Sequence, residues 1–462
     1  MKLKTNLILL ASVLILAICA FSFLSDSNTD PEDTKPAIEA GQETEQGELA
    51  DVTAEAKTGA DTEYAADAQQ SDSLEELPAD SNQESEAAEE TEAGQTGLEA
   101  EGTEEKQTDS AAAEKFLANM TLEEKAAQMF ILTPEALTGY NSVTSAGEAT
   151  KAALQNYPVG GLIYFNGSIQ SAEQVKEMVA GQQQYSMERI GLPLFISVDE
   201  EGGKVARVAN DSPISVEHFP YMPEIGAAED AVARAQEVGD GIGSYLHELG
   251  FNLDFAPVAD VLTNPENTVV KERSFSSDPE KTAELAAAVA SRLERQGVYS
   301  CLKHFPGHGA TAADSHKGYA YIDKTLEELR AAELIPFQRG IEAGASFVMV
   351  GHISVPKVTG DDTPATLSKT MIDILRNELQ FDGIVITDAM NMGAITNDYS
   401  SGEAAVKAIE AGVDIILMPA DFKAAYAGIL DAVKTGKISE ERIDASVRRI
   451  ITIKQSGGNE YL

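Results

Sequence analysis

Eight short apolar runs recur between residues 129 and 418, separated by longer stretches of helical periodicity. The runs cover 129–132, 161–165, 194–198, 253–256, 300–303, 347–350, 384–387 and 414–418. The amphipathic segments between them include 171–189, 231–249, 279–296, 326–343, 369–379 and 402–411. Strands that alternate with helices in this way pair in parallel through crossover connections. Eight such units in about 350 residues predict a (β/α)8 barrel of the TIM type. A doubly wound open sheet is the competing arrangement. The count of eight favours the barrel, and so do the polar residues at the ends of so many runs. Those ends read Asp199-Glu200-Glu201, Asp260, Lys303-His304, His352 and Asp388. Barrel active sites are built from C-terminal strand ends and the loops that follow them.

The barrel pattern begins near residue 111, and Thr121-Leu122-Glu123-Glu124 is a capping box that opens its first helix. The last helix closes near Lys454, so 111–462 reads as a single domain. Residues 25–110 differ sharply, with 27 acidic against 3 basic residues and few large apolar ones. Such a segment cannot bury enough surface to offset chain entropy and reads as a disordered acidic linker. Residues 1–24 combine Lys2 and Lys4 with an apolar run, the pattern of a signal peptide or membrane anchor. Lysines before the run and acids after it direct the remaining chain to the outer face of the membrane. Leu16-Ala17-Ile18-Cys19 resembles a bacterial lipoprotein box, with Ile18 where a small residue is usual. Lipidation, an uncleaved anchor and simple cleavage all stay open.

The chain carries a net charge of -42, and the part beyond the linker is acidic too. Nucleic acids and anionic membrane surfaces are poor partners for such a chain. A neutral or lightly charged substrate suits it better. With only Cys19 and Cys301 present, no disulfide framework is expected, and Cys301 reads as a small apolar core residue.

Three of the six histidines lie in Lys303-His304-Phe305-Pro306-Gly307-His308-Gly309 and the following Asp314-Ser315-His316. A zinc pair at His304 and His308 would need a helix, which Pro306, Gly307 and Gly309 disfavour, and Lys303 would repel the cation. Asp314 and His316 can hydrogen-bond on a loop, the carboxylate orienting a ring whose ordinary pKa of about 6.5 suits general acid–base work. Small residues around them fit a loop that moves; a solvated polar turn is the other reading. Asp388 ends an apolar strand before Gly393 and could be a nucleophile, an electrostatic partner, a metal ligand or a helix cap. Asp199-Glu200-Glu201-Gly202-Gly203 with Arg207, the segment from Asn252 to Asp260, and Lys271-Glu272-Arg273-Ser274-Phe275 offer charged groups that could grip sugar hydroxyls or form rim ion pairs.

Taken in order, these five motifs closely resemble the β-N-acetylhexosaminidases of glycoside hydrolase family 3, the NagZ type. The resemblance covers essentially the whole globular part. It implies Asp388 as nucleophile, His316 as acid/base and Asp314 as the carboxylate that tunes it. It also implies that Asp199, Arg207, Arg273, Lys303 and His304 hold a terminal N-acetylglucosamine, without metal or organic cofactor. The expected activity is a retaining exo-β-N-acetylglucosaminidase, working through a covalent glycosyl–Asp intermediate on peptidoglycan fragments or related glycosides. The expected protein is a monomer, anchored or lipidated at the extracellular face of a bacterial membrane, or secreted. A β-N-acetylglucosaminide phosphorylase, a metal-dependent barrel hydrolase and a non-catalytic sugar-binding lipoprotein are the rival readings.

Overall fold

A computed structural model describes residues 112–313 and 320–456. The N-terminal segment and acidic linker, and also Asp314 and His316, lie outside the described residues.

All eight expected strands form. They are β1 (Phe130–Leu132), β2 (Gly161–Ile163), β3 (Phe195–Val198), β4 (Leu253–Asp254), β5 (Tyr299–Phe305), β6 (Phe347–Val350), β7 (Ile384–Thr387) and β8 (Ile416–Leu417). Every pairing is parallel, and the strand order is β7-β6-β5-β4-β3-β2-β1-β8. The two ends of this order meet through a parallel bridge between Ile386 and Ile415, where Thr387 N–H donates to the Ile415 carbonyl at 3.0 Å. The sheet is therefore a closed (β/α)8 barrel. Closure explains why most of the strands are apolar along their length, as in Phe130–Leu132, Gly161–Ile163 and Phe347–Val350: side chains are covered on both faces, by the barrel interior and by the helices.

The covering helices are α1 (Leu122–Gln128), α2 (Glu148–Asn156), α3 (Ala172–Ile190), α4 (Ala231–Leu249), α5 (Pro279–Arg295), α6 (Leu334–Glu342), α7 (Lys369–Asp373), α8 (Ser401–Ala411), α9 (Phe422–Lys434) and α10 (Glu440–Ser456). The capping box of α1 is present in both directions. On α5 the buried face is Ala283, Leu285, Ala286, Val289, Ala290 and Leu293, a helical stripe turned to the barrel. The single helix expected over 326–343 is instead two, Leu326–Arg330 and then α6. Pro336 is the cause: without an N–H it is tolerated only in a first turn, so a new helix starts at Leu334. The helix expected over 369–379 is α-helical only to Asp373 and then widens to a π-turn over Ile374–Glu378.

Polar groups at the N-terminal end of the barrel serve the fold. Glu294 accepts from backbone and hydroxyl of both Ser300 and Ser346, tying α5 to β5 and to the residue before β6. Lys454 of α10 donates to Gln128 and to the Gly160 carbonyl. Cys301 is buried with a free thiol, as expected of a core residue, and burial pushes its pKa up.

Candidate active site

The opposite, C-terminal end of the barrel gathers the charged residues. After β3 the chain stays extended over Glu200–Gly202. Side chains alternate along such a segment, so Glu200 and Glu201 face different ways. Glu200 turns back and accepts from Val208 N–H, Ala209 N–H and the Tyr245 hydroxyl at 2.7–2.8 Å. It closes the following loop and leaves the mouth to Asp199 and Glu201.

Glu201 lies at the centre of an ion network. Arg273 grips it through two parallel bonds, Nε to Oε2 and Nη2 to Oε1, both 2.7 Å. Lys303 Nζ lies 2.7 Å from Glu201 Oε1 and donates to Asp199 Oδ1 at 2.6 Å. Burial pushes the Glu201 carboxyl up, but the Lys303 and Arg273 charges outweigh it and hold the group down to about 2. Burial pulls Lys303 and Arg273 down, and their carboxylate partners raise both above their ordinary values. The three directions agree: each member is held ionised by the others.

Lys303 and His304 are consecutive, yet both face the mouth. The register between β5 and β6 shows how. Val348 pairs with Leu302 whereas Val350 pairs with Phe305, so β5 holds one extra residue there. A bulge of this kind re-aims side chains locally, and the Lys303–His304 peptide within it is cis. His304 Nδ1 lies 2.8 Å from Asp260 Oδ2, and its Nε2 lies 3.4 Å from Arg273 Nη2. Asp260, fully buried, also accepts from the backbone N–H groups of His304 and His308 at 3.1 and 2.6 Å. One carboxylate thus orients the His304 ring and holds the turn after it. His308 faces Thr311 Oγ1 at 3.1 Å and takes no direct part in the charged network.

The turn Phe305-Pro306-Gly307-His308-Gly309 packs against its surroundings with no room to spare. A Cβ on Gly309 would stand 2.0 Å from the Val261 carbonyl oxygen, and Gly307 adopts a φ of 129°. Gly307 needs the freedom of a residue without Cβ, and Gly309 is where one backbone rests on another.

Asp388 follows β7 and is partly buried. Its backbone N–H donates to the Val350 carbonyl at 2.9 Å, and its Oδ1 accepts the Ala389 N–H at 2.7 Å. Burial pushes this carboxyl up, but the nearby His352, His304 and Lys303 together with the Ala389 N–H hold it below its ordinary value. An ionised carboxylate therefore faces the mouth from β7. His352, after β6, is buried between Thr366 and Ala389, and burial pulls its ring below the usual imidazole value.

Of the residues singled out in the sequence, Asp199, Arg273, Lys303 and His304 come together in one network, with Asp388 close enough to feel Lys303 and His304. Arg207 stands apart from that network: its Nη1 donates to Asp211 at 2.9 Å and its guanidinium lies over the Phe165 ring. Three residues to which the family resemblance gives no role organise the site, namely Glu201, Asp260 and His352. Their shared signal in the sequence is position, since each follows a barrel strand, Glu201 and His352 within three residues of its end and Asp260 six residues after Asp254.

Residues 121–453 match the glycosyl hydrolase family 3 N-terminal domain. Beta-hexosaminidase A of Pseudoalteromonas piscicida is 35% identical over 325 residues, which are 65% of this chain and 54% of that protein. The chain thus spans about half the length of that relative. Beta-hexosaminidase LpqI of Mycobacterium tuberculosis is 34% identical over 328 residues, 68% of this chain and 79% of that protein. Among solved structures, a glycoside hydrolase family 3 β-N-acetylglucosaminidase from a Paenibacillus species superposes with a TM-score of 0.68 at 38% identity, covering 73% of this chain and 63% of that one. With its five ordered motifs, its closed barrel and these likenesses, the chain belongs to glycosyl hydrolase family 3.

Proposed function

We infer that this chain is a retaining exo-β-N-acetylglucosaminidase that removes terminal N-acetylglucosamine from peptidoglycan fragments. The observation that carries the reading is Asp388: a carboxylate kept ionised at the mouth of the barrel, beside a network of charged groups able to bind hydroxyls. The names of the relatives, β-hexosaminidases and a β-N-acetylglucosaminidase, support the sugar specificity.

In the proposed reaction Asp388 attacks the anomeric carbon and forms a glycosyl ester, while His316 gives its proton to the leaving oxygen. His316, now neutral, then takes a proton from water as the water displaces Asp388. In this reaction Asp314 would orient the His316 ring and stabilise its protonated form. Asp199, Lys303, His304 and Arg273, with Arg207 from the neighbouring loop, hold the sugar. Glu201 keeps Lys303 and Arg273 in place. The apolar leader and acidic linker support a place outside the membrane, anchored by the N-terminus.

The test is turnover of muropeptides, chitobiose and an aryl N-acetyl-β-glucosaminide side by side, with the anomeric configuration followed by NMR. Retention at the anomeric carbon and release of free N-acetylglucosamine are expected, unchanged by added phosphate; a sugar phosphate as product would mark a phosphorylase instead. Asp388→Ala should abolish turnover, and His316→Ala should lower kcat by about 10²–10⁴-fold, less for substrates with good leaving groups. Ordinary activity in the Asp388 variant would sink the assignment.

A further inference from the structure

His352 has no part in the reaction as proposed, yet it is only 5% exposed and its ring lies against the loop that carries the nucleophile. On one edge Nε2 lies 3.0 Å from the Ala389 carbonyl oxygen. On the other, Nδ1 lies 2.9 Å from Thr366 Oγ1. Thr366 Oγ1 is also 3.0 and 2.8 Å from the carbonyl oxygens of Val350 and Gly351. A carbonyl oxygen only accepts, so Nε2 must carry a hydrogen. The Thr366 hydroxyl adapts to the other edge. It gives its proton to Nδ1 of a neutral ring, or accepts from Nδ1 of a charged one and turns its own proton to a carbonyl. In either state the Nε2–H stays on Ala389.

That bond holds the peptide plane just beyond Asp388. The Ala389–Met390 peptide is fixed at both ends, its oxygen by His352 and its N–H by the Leu417 carbonyl at 2.9 Å. Two planes earlier in the chain's course, the Asp388 N–H is fixed on Val350 at 2.9 Å. Asp388 sits between these anchors, with Oδ1 taking the Ala389 N–H at 2.7 Å. Val350 and Leu417 contribute backbone atoms, which any sequence supplies. His352 contributes a side chain.

We propose that His352 is a positioning residue for the nucleophile: its Nε2–H holds the Ala389–Met390 peptide and so sets the direction in which Asp388 faces the anomeric carbon. The inference rests on the reading of Asp388 as nucleophile. Removing the donor frees one anchor and leaves the sugar-binding network intact, so the loss falls on kcat. A displacement of the reacting atom on the order of 1 Å can cost about 10²-fold in rate.

Three substitutions separate this role from simple packing. Gln places an amide nitrogen near the position of Nε2 and can still reach Ala389. Asn places one near Nδ1 and reaches only Thr366. Ala removes both. Wild type, Asp388→Ala, His352→Ala, His352→Gln and His352→Asn are assayed on an aryl N-acetyl-β-glucosaminide, and thermal unfolding is recorded for each. His352→Ala and His352→Asn should lose about 10- to 100-fold in kcat with KM held within about twofold, and His352→Gln should keep kcat within about fivefold of wild type. Equal kcat for the Gln and Asn variants overturns the proposal, as does a loss carried by KM. If His352→Ala fails to fold, the Gln and Asn pair decides alone. A wild type inert toward the glycoside overturns the reading of Asp388 and this inference with it. An active wild type with equal Gln and Asn variants overturns this inference alone.

Discussion

Glu201 shows how much one carboxylate can organise. It neutralises two cations that are themselves mostly buried, with Lys303 2% exposed. Replacing it by Gln keeps the shape and removes the charge, leaving Lys303 and Arg273 side by side with Asp199 as the remaining direct partner of Lys303. Breaking a buried pair from one side costs about 3–5 kcal/mol, so Glu201→Gln should lower stability by that order at neutral pH, read from denaturant or thermal unfolding. The pH dependence has a definite sign. The folded carboxyl titrates at about 2, below the ordinary value of 4.5. Its contribution is therefore fully present above about pH 4.5 and is lost progressively as pH falls toward 2. The gap between wild type and Glu201→Gln should be widest above pH 4.5 and narrow below it. A gap that stays constant down to pH 3 would show that the carboxylate's charge is not what stabilises the site.

The elements of the barrel were largely legible in the sequence, and the reason is physical. A parallel strand buried on both faces must be apolar throughout, so β6 and β7 stand out as Phe347–Val350 and Ile384–Thr387. Contacts made at long range were not legible. Nothing within Leu302-Lys303-His304-Phe305 tells which residue is extra relative to β6, so the bulge that turns two neighbours toward one mouth appears only with the pairing. Glu200 and Glu201 look alike until the strand after β3 decides which one faces inward. The partners of His352 lie well along the chain, at Thr366 and, 37 residues away, at Ala389. The turn after β5 joins the legible and the hidden: its glycines were evident, but their reason is the approach of Val261. Gly309→Ala would put a methyl group 2.0 Å from a carbonyl oxygen, and backbone must shift to admit it. Overpacking of this kind costs about 1–3 kcal/mol. The same shift would reach Asp260, which accepts the His308 N–H from this turn and orients His304. A lower melting temperature together with a raised KM is the expected result, since His304 belongs to the proposed sugar-binding set. A variant that melts earlier with unchanged KM would separate the turn from the site.

At the scale of the whole chain, the described residues already make a closed barrel with its own buried core, so the N-terminal 110 residues are not needed to complete it. What those residues could add is location. A stretch with 27 acidic against 3 basic residues between positions 25 and 110 has the composition of a tether. Two consequences follow from assigning it this role. A variant lacking residues 1–110 should turn over a soluble aryl glycoside with kcat/KM within about twofold of the full chain, because domains with their own core fold and work alone. In fractionated cells the full chain should travel with the membrane and the shortened one with the soluble fraction. Membrane recovery of the shortened chain would move the anchor into the barrel, and loss of turnover on the soluble substrate would give the linker a part in catalysis that a tether does not have.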